Sequence, residues 1–597
     1  MGKKILKGLA ELLLAVAMVV AGYFMLEVSS TASLHHCFVM PVRYILLNVF
    51  TIGILLSVLI LLTNRVWLAS LLCSLCVGVI AGINYYTVMY RNLPLTIQDI
   101  HNARTALGVI ASYSFEIDKK FVFILGLACG MMVLSALCGW LCRKVRFGWK
   151  MSLARVAVMV CVGFLVFHYG YFGSKPVKPK KTITWLWSEA YHQYGYAACT
   201  VETIEQSMHF LQQPENYSAK QVQSLQIEPQ KVGNRLPDVI IILNETFYDL
   251  RQITDLKTDV PYLKNIESME NLLTGYAVTP VAGGGTNNTE YELLTSNSLY
   301  LMPGVTPFNV INLKNANSIV QHLETLGYTS LATHSEPGEN YSRHNGYSAL
   351  GFDKAYFDKQ YKEVSWYANR WFETDESLYR NLIRWYEEDM DDAPRLMYML
   401  TIQNHGEWTH NAPEYDTVHA LNDYGEYDDQ VDEYLTLIQQ SDQAFADLIK
   451  YFSTVDRPVV VCMVGDHSPH FAEKIADLYK SEDDRQLRLR KVPLLIWANY
   501  GLEEQCLGTI SMNYVVPTLL DIAGITLSPY YQYQLNLKQQ VPILASYGKY
   551  YDTSGVMYEY KDSQSPMKEA VDQYFHMEYH NLQSGRKQQL FDPYLVE

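Results

Sequence analysis

The chain has 597 residues, too many for one small domain; 49% of them are hydrophobic and 18% charged. Its formal net charge of −15 argues against nucleic-acid binding, which needs clustered positive charge to meet phosphates. Of ten cysteines, only Cys199, Cys462 and Cys506 lie beyond the apolar first third, without C-x-x-C spacing, so no disulfide framework is predicted.

Five apolar segments open the chain: Gly8–Met25, Tyr44–Leu62, Val66–Val88, Phe121–Leu141 and Ser152–Phe167. The first four are long enough to cross a hydrocarbon core. The fifth is shorter and carries Arg155 near its start. A five-helix transmembrane domain over 1–170 is the expectation. No small-residue cleavage site follows the first segment, which therefore reads as an anchor and not a removable signal. Lys3, Lys4 and Lys7, then Arg65, then Arg143, Lys144, Arg146 and Lys150 fall in alternate loops and assign those loops to the cytoplasm. An odd number of crossings then places everything after about residue 170 outside. Lys175, Lys178, Lys180 and Lys181 run against that trend; anionic lipid headgroups at the outer surface would accommodate them.

Residues 171–232 read as a linker: a Pro/Lys-rich start, SKPVKPKK, then a polar and aromatic helical stretch, Thr182–Gln212. The pattern changes at Asp238. DVIIIL (Asp238–Leu243) is a nearly continuous apolar run, as in a strand buried on both faces of an α/β sheet. Leu396–Ile402, Pro458–Val464 and Val492–Trp497 repeat it. An α/β catalytic domain with a central, mostly parallel sheet is expected over 233–535, and a C-terminal extension, 536–597, packed on it.

Three of these runs end in polar residues: Asn244 and Glu245; Gln403, Asn404 and His405; Asp466 and His467. Sites in open α/β sheets form beyond the carboxyl ends of strands. Between the first two lies GGGTNNTEYELLTS, Gly283–Ser296, in which Tyr291, Leu294 and Leu299 have approximate helical spacing and Glu290 and Glu292 fit a first turn. Thr286 thus sits at a helix start, where free N–H groups favour negative charge. A bland reading makes it only a helix cap after a glycine turn. Two carboxylates and an imidazole, Glu245, Asp466 and His467, can hold a divalent cation; their oxygen-rich set favours Mn²⁺ or Mg²⁺ and also admits Zn²⁺. Such an ion would favour the Thr286 alkoxide, which a threonine needs to act as a nucleophile. Asn287-Asn288-Thr289 matches an N-glycosylation pattern, but a glycan there would crowd Thr286.

NETFYD at 244–249, GGGTNNTEYELLT at 283–295, TIQNH at 401–405 and GDHSP at 465–469 together resemble the lipoteichoic acid synthase family, membrane phosphoglycerol transferases whose outer domain has the alkaline phosphatase/sulfatase fold. The resemblance implies that Glu245, Thr286, Asp466 and His467 bind metal and that Thr286 is the nucleophile, forming a phosphothreonine. It also nominates His334, Tyr341, Arg343 and His405 for the glycerol phosphate. Implied further are a phosphatidylglycerol donor, a glycolipid or polyglycerolphosphate acceptor, contact with membrane lipids, Mn²⁺ or Mg²⁺ as cofactor, and the cell membrane of a Gram-positive bacterium. Phosphoethanolamine transfer would use the same fold and nucleophile. A sulfatase activity is disfavoured because no Cys/Ser-x-Pro-x-Arg surrounds residue 286. A membrane phosphatase and a non-catalytic envelope scaffold are further alternatives. Oligomeric state leaves no trace in the sequence.

Overall fold

The computed structural model describes residues 2–91, 94–95, 117–142, 149–172, 177, 187–225, 227 and 236–584, with short gaps at 32, 210, 304, 311–312, 389–391, 407, 409–412 and 563. Lys175, Lys178, Lys180 and Lys181, the loop with Arg143, Lys144 and Arg146, and His410 lie outside the described residues. The chain forms two compact units, Met1–His209 and Phe210–Glu597.

In the first unit, Gly2–Thr31, Val42–Thr63, Val66–Arg91 and Lys119–Cys142 are helices. Each contains a stretch long and apolar enough to span a bilayer; the chain is a membrane protein. Small residues let the third and fourth helices approach closely: a Cβ on Gly78 would come within 2.9 Å of Ala128, and Ser74 donates to the Ala128 carbonyl at 2.9 Å. The fifth apolar segment is helical, Trp149–Phe167, and continues as a π-helical turn, His168–Phe172. Its described apolar part, Met159–Tyr171, is shorter than the stretches in the other four, so four helices and not five meet the length criterion among the described residues. Two helices from the expected linker, Trp187–Tyr194 and Tyr196–His209, belong to this unit. Asn48 fastens them, donating to the Tyr194 carbonyl at 2.8 Å and accepting from the Ala198 N–H at 2.9 Å.

The second unit is built on an eight-stranded sheet: β1 (Asp238–Asn244), β2 (Leu272–Val278), β3 (Thr329–His334), β4 (Lys354–Tyr356), β5 (Arg395–Leu400), β6 (Val459–Gly465), β7 (Lys491–Ala498) and β8 (Gly508–Ser511), in the order β4-β3-β5-β1-β6-β7-β2-β8. Only β7 runs antiparallel to its neighbours. The central strands β1, β5 and β6 are buried along their whole length, which is why their sequences are apolar on both faces. After β8 the chain adds a three-stranded antiparallel sheet, β9 (Ile543–Ala545), β10 (Lys549–Tyr551) and β11 (Met557–Glu559), and a helix, Lys568–Ser584. Leu544, Tyr550, Tyr560, Val571 and Phe575 from this tail join the core that surrounds the main sheet.

Candidate active site

β1 and β6 are neighbours, with Asn244 opposite Gly465, so the residues that follow, Glu245 and Asp466, emerge side by side at the carboxyl edge of the sheet. Gly465 is required there, because a Cβ would lie 2.1 Å from the Phe247 carbonyl oxygen. Thr246 takes a left-handed conformation (φ 48°), from which its N–H donates to Asp466 Oδ1 at 2.6 Å and its hydroxyl to Glu245 Oε1 at 2.8 Å. The three glycines before Thr286 all have positive φ (71°, 142° and 94°), a path that side chains resist. They turn the chain into the helix Thr286–Thr295. Gly285 occupies the cap position and Thr286 the first helical one. The Thr286 hydroxyl does not cap; it donates to Glu245 Oε2 at 3.4 Å. Thr289 Oγ1 donates to the Asp466 carbonyl at 2.7 Å and the Gly283 N–H to the Ser468 carbonyl at 3.1 Å, fixing the helix start against the β6 loop. Asn287 is fully buried, which closes it to a glycan.

Glu245, Asp466 and His467 are buried, and their donor atoms lie within 4.8 Å of one another. His467 Nε2 is 3.2 Å from Asp466 Oδ2 and 3.6 Å from Glu245 Oε1. Its Nδ1 lies 2.9 Å from the Ser468 carbonyl, which can only accept, so Nε2 is the nitrogen aimed at the carboxylates. Burial and the neighbouring Glu245 push Asp466 up to about 7. Burial opposes a charge on His467, but Asp466 and Glu245 outweigh it and raise its pKa. Asp466 Oδ2 is buried and accepts no hydrogen bond. Two crowded carboxylates, an inward imidazole nitrogen and an unsatisfied carboxylate oxygen fit a divalent cation in this cluster.

Among the remaining nominated residues, Tyr341 feels the charges of Glu245 and Asp466, and His334 those of Arg343 and His405. Arg343 is buried, and its guanidinium stacks over the Tyr341 ring at 4.9 Å. Burial pushes Tyr341 up to about 12; Arg343 opposes, and Glu245, Glu290 and Asp466 add to it, so this ring sits within the field of these carboxylates. Tyr341 and Ser342 are both left-handed (φ 55° and 56°), a strained pair braced by a 2.8 Å bond from Ser342 Oγ to Asn309 Oδ1. His334 ends β3; burial and the nearby Arg343 hold its pKa well below the usual value. It is neutral, and because Nδ1 donates to the Leu400 carbonyl at 3.1 Å, Nε2 is an acceptor. His405 is exposed, lies tilted against the Phe372 ring (centroids 4.9 Å apart) and turns Nδ1 to the Gly406 carbonyl at 2.6 Å. His470 stacks on Trp408, and His344 bonds to the Gly338 carbonyl within its own segment.

Glu290 and Glu292 are not first-turn acids offsetting the helix dipole. Glu290 is fully buried and pairs with Arg343 Nε at 2.9 Å; Glu292 is buried and accepts from the Leu299 N–H at 2.8 Å. Leu299 itself lies beyond the helix, which ends at Ser296 in a left-handed conformation (φ 56°). Sequence reasoning also missed Asp375, which is fully buried behind Glu245. It accepts from Asn244 Nδ2 at 2.8 Å and Ser441 Oγ at 2.6 Å, while Asn404 Nδ2 donates to Asn244 Oδ1 at 2.9 Å. This network joins the ends of β1 and β5 beneath the cluster.

A mostly parallel sheet with a carboxylate–histidine cluster and an adjacent hydroxyl at its carboxyl edge is the architecture of metal-dependent enzymes that transfer phosphate or sulfate esters. Residues 237–525, which lie within the second unit, match the Sulfatase family model. A protein of Rhizobium meliloti (strain 1021) named "Putative cyclic beta-1,2-glucan modification protein" is 26% identical over 362 residues, which cover 58% of this chain and 55% of that protein. The chain thus spans little more than half the length of this curated relative. Among solved structures, the Streptococcus pyogenes phosphoglycerol transferase GacH, in complex with sn-glycerol-1-phosphate, superposes with a TM-score of 0.50 at 19% identity, covering 63% of this chain and 96% of GacH. The lipoteichoic acid synthase LtaP from Listeria monocytogenes gives a TM-score of 0.43 at 17% identity, with 61% of this chain and 96% of LtaP covered.

Proposed function

We propose that the chain is a metal-dependent glycerophosphotransferase that moves glycerol phosphate from phosphatidylglycerol to a glycolipid or polyglycerolphosphate acceptor, with its catalytic unit outside the cell membrane of a Gram-positive bacterium. The observation that carries this reading is the convergence of Thr286, Glu245, Asp466 and His467, with the Thr286 hydroxyl 3.4 Å from Glu245 Oε2. The external location rests on the fifth apolar segment crossing as well, together with the loop charges. The glucan-modifying name of the Rhizobium relative supports a carbohydrate-bearing acceptor.

Glu245, Asp466 and His467, with Thr286 Oγ1, would hold Mn²⁺ or Mg²⁺. When bound, that ion supplies Lewis acidity toward a phosphoryl oxygen and lowers the pKa of the threonine hydroxyl. Glu245 Oε2 receives the hydroxyl hydrogen bond and orients Oγ1. Oγ1 attacks phosphorus; the bond from phosphorus to the diacylglycerol oxygen breaks, and diacylglycerol leaves with a proton. The acceptor hydroxyl then attacks the phosphothreonine, loses its proton, and frees Thr286. Arg343 binds a phosphoryl oxygen through its guanidinium, and the lone pair of His334 Nε2 accepts from a glycerol hydroxyl. Membrane anchoring keeps enzyme and lipid donor together, so the donor need not be extracted into water.

The test is intact-mass and phosphopeptide analysis of the purified protein after incubation with phosphatidylglycerol and Mn²⁺, beside Thr286→Ala. The expected outcome is a glycerophosphoryl adduct on Thr286 that the variant lacks. An adduct only with phosphatidylethanolamine would reassign the headgroup. No adduct and no diacylglycerol from either lipid, in a folded and metal-loaded protein, would overturn the transferase reading.

A further inference from the structure

We infer that Glu290 is a specificity-determining residue: by neutralising Arg343 it sets the phosphate subsite for a singly charged phosphodiester against a dianionic monoester. The inference rests on the proposed role of Thr286 and Arg343 in phosphoryl transfer, and deepens it.

Thr286 and Glu290 are four residues apart on one helix, so they share a face with Cβ atoms about 5–6 Å apart. Glu290 is held by three donors: Arg343 Nε at 2.9 Å, Tyr347 Oη at 2.6 Å and Tyr398 Oη at 3.3 Å. The side chains of Arg343 and Glu290 are 4% and 0% exposed, so the pair lies in a low-dielectric setting one helical turn from the nucleophile. Nε is one of five guanidinium N–H donors; the bond to Glu290 occupies that edge and leaves the Nη groups to an anion. Tyr341 beneath the guanidinium plane keeps it from turning away.

A buried arginine alone would favour the most highly charged phosphate. Paired with Glu290 it has no net charge, yet it retains directed hydrogen bonds. A phosphodiester, with one negative charge shared by two oxygens, is matched by those bonds. The second charge of a monoester or of inorganic phosphate meets the buried Glu290 carboxylate across Arg343, and discrimination follows from repulsion as much as from attraction. This arrangement also opposes rebinding of a free phosphate in place of the donor lipid.

The full chain in detergent with Mn²⁺ is assayed on bis-p-nitrophenyl phosphate and p-nitrophenyl phosphate, with inorganic phosphate as inhibitor. Glu290→Gln is expected to lower the diester-to-monoester ratio of kcat/KM by about tenfold and to tighten inhibition by inorganic phosphate, as removal of one nearby buried charge implies. Tyr347→Phe, which removes a hydrogen bond from Glu290 but no charge, is expected to leave the ratio within about twofold of wild type. An unchanged ratio in folded Glu290→Gln overturns the inference. Should that variant fail to fold, wild type decides: inhibition by inorganic phosphate is compared with that by dimethyl phosphate at pH 5.5 and pH 8. The inference requires phosphate to lose ground to dimethyl phosphate as it becomes a dianion; a gain overturns it. Retention of the Thr286 adduct throughout separates failure of this inference from failure of the transferase reading.

Discussion

Strain and unmet charge are concentrated in a few residues. Thr246, Tyr341 and Ser342 all hold positive φ beside the cluster, a conformation that costs on the order of 1 kcal/mol or more each for residues with a Cβ. Asp466 Oδ2 lacks a hydrogen bond in a buried position. A divalent ion would relieve that electrostatic cost. At about 100 times its Kd, Mn²⁺ is expected to stabilise the folded state by about 2.7 kcal/mol. This should appear as a higher Tm with Mn²⁺ that chelation reverses, and Glu245→Gln should abolish most of the rise. An equal rise in the variant would remove Glu245 from the ligand set. Thr286, Glu245, Asp466 and His467 were legible because each follows an apolar run or a glycine turn, where a polar side chain has few structural duties. Glu290 was not, since its partner Arg343 is 53 positions away and a carboxylate near a helix start reads as a solvated dipole partner.

The helix that begins at Thr286 is secured at its far end by groups that titrate. Burial pushes Glu292 up to about 8 and also raises Glu578 well above the usual carboxylate range; their carboxylates accept from the N–H groups of Leu299 and Ser298. In the unfolded chain both ionise near the ordinary glutamate value of 4.5. A raised carboxyl pKa makes the contribution to stability complete below about 4.5 and lost as pH rises through about 8. The Tm is therefore expected to fall by about 5 °C between pH 6 and pH 9. Glu292→Gln, which retains an acceptor for Leu299, should flatten this decline; an undiminished slope would place the pH dependence elsewhere. Among the strands, β1, β5, β6 and β7 were evident as apolar runs. β2 is interrupted by Gly275, β3 reads TSLATH, and β4 and β8 span three and four residues, too few for a periodic signal. The antiparallel direction of β7 depends on pairing with β6 and β2, which no local pattern encodes.

At the scale of the whole chain, the membrane helices and the sheet form separate hydrophobic cores. Residues 210–597 expressed alone are expected to fold, bind Mn²⁺ and hydrolyse bis-p-nitrophenyl phosphate at a rate within about tenfold of the full chain, because the cluster, Thr286 and Arg343 all lie within this unit. Turnover of phosphatidylglycerol in vesicles should fall much further. Equal losses on both substrates would mean that the first unit supports the site itself. The carbonyl of Ser296, at the end of the Thr286 helix, accepts from Tyr530, Gln534 and Tyr574, and the adjacent Ser298 N–H donates to Glu578. Two of these four partners come from the helix Lys568–Ser584, which leaves the ribosome after everything else described in the chain. Thr286, the proposed nucleophile, is thus synthesised nearly 300 residues before its helix can be fully anchored, so catalytic competence waits for the helix Lys568–Ser584, made long after the membrane segments.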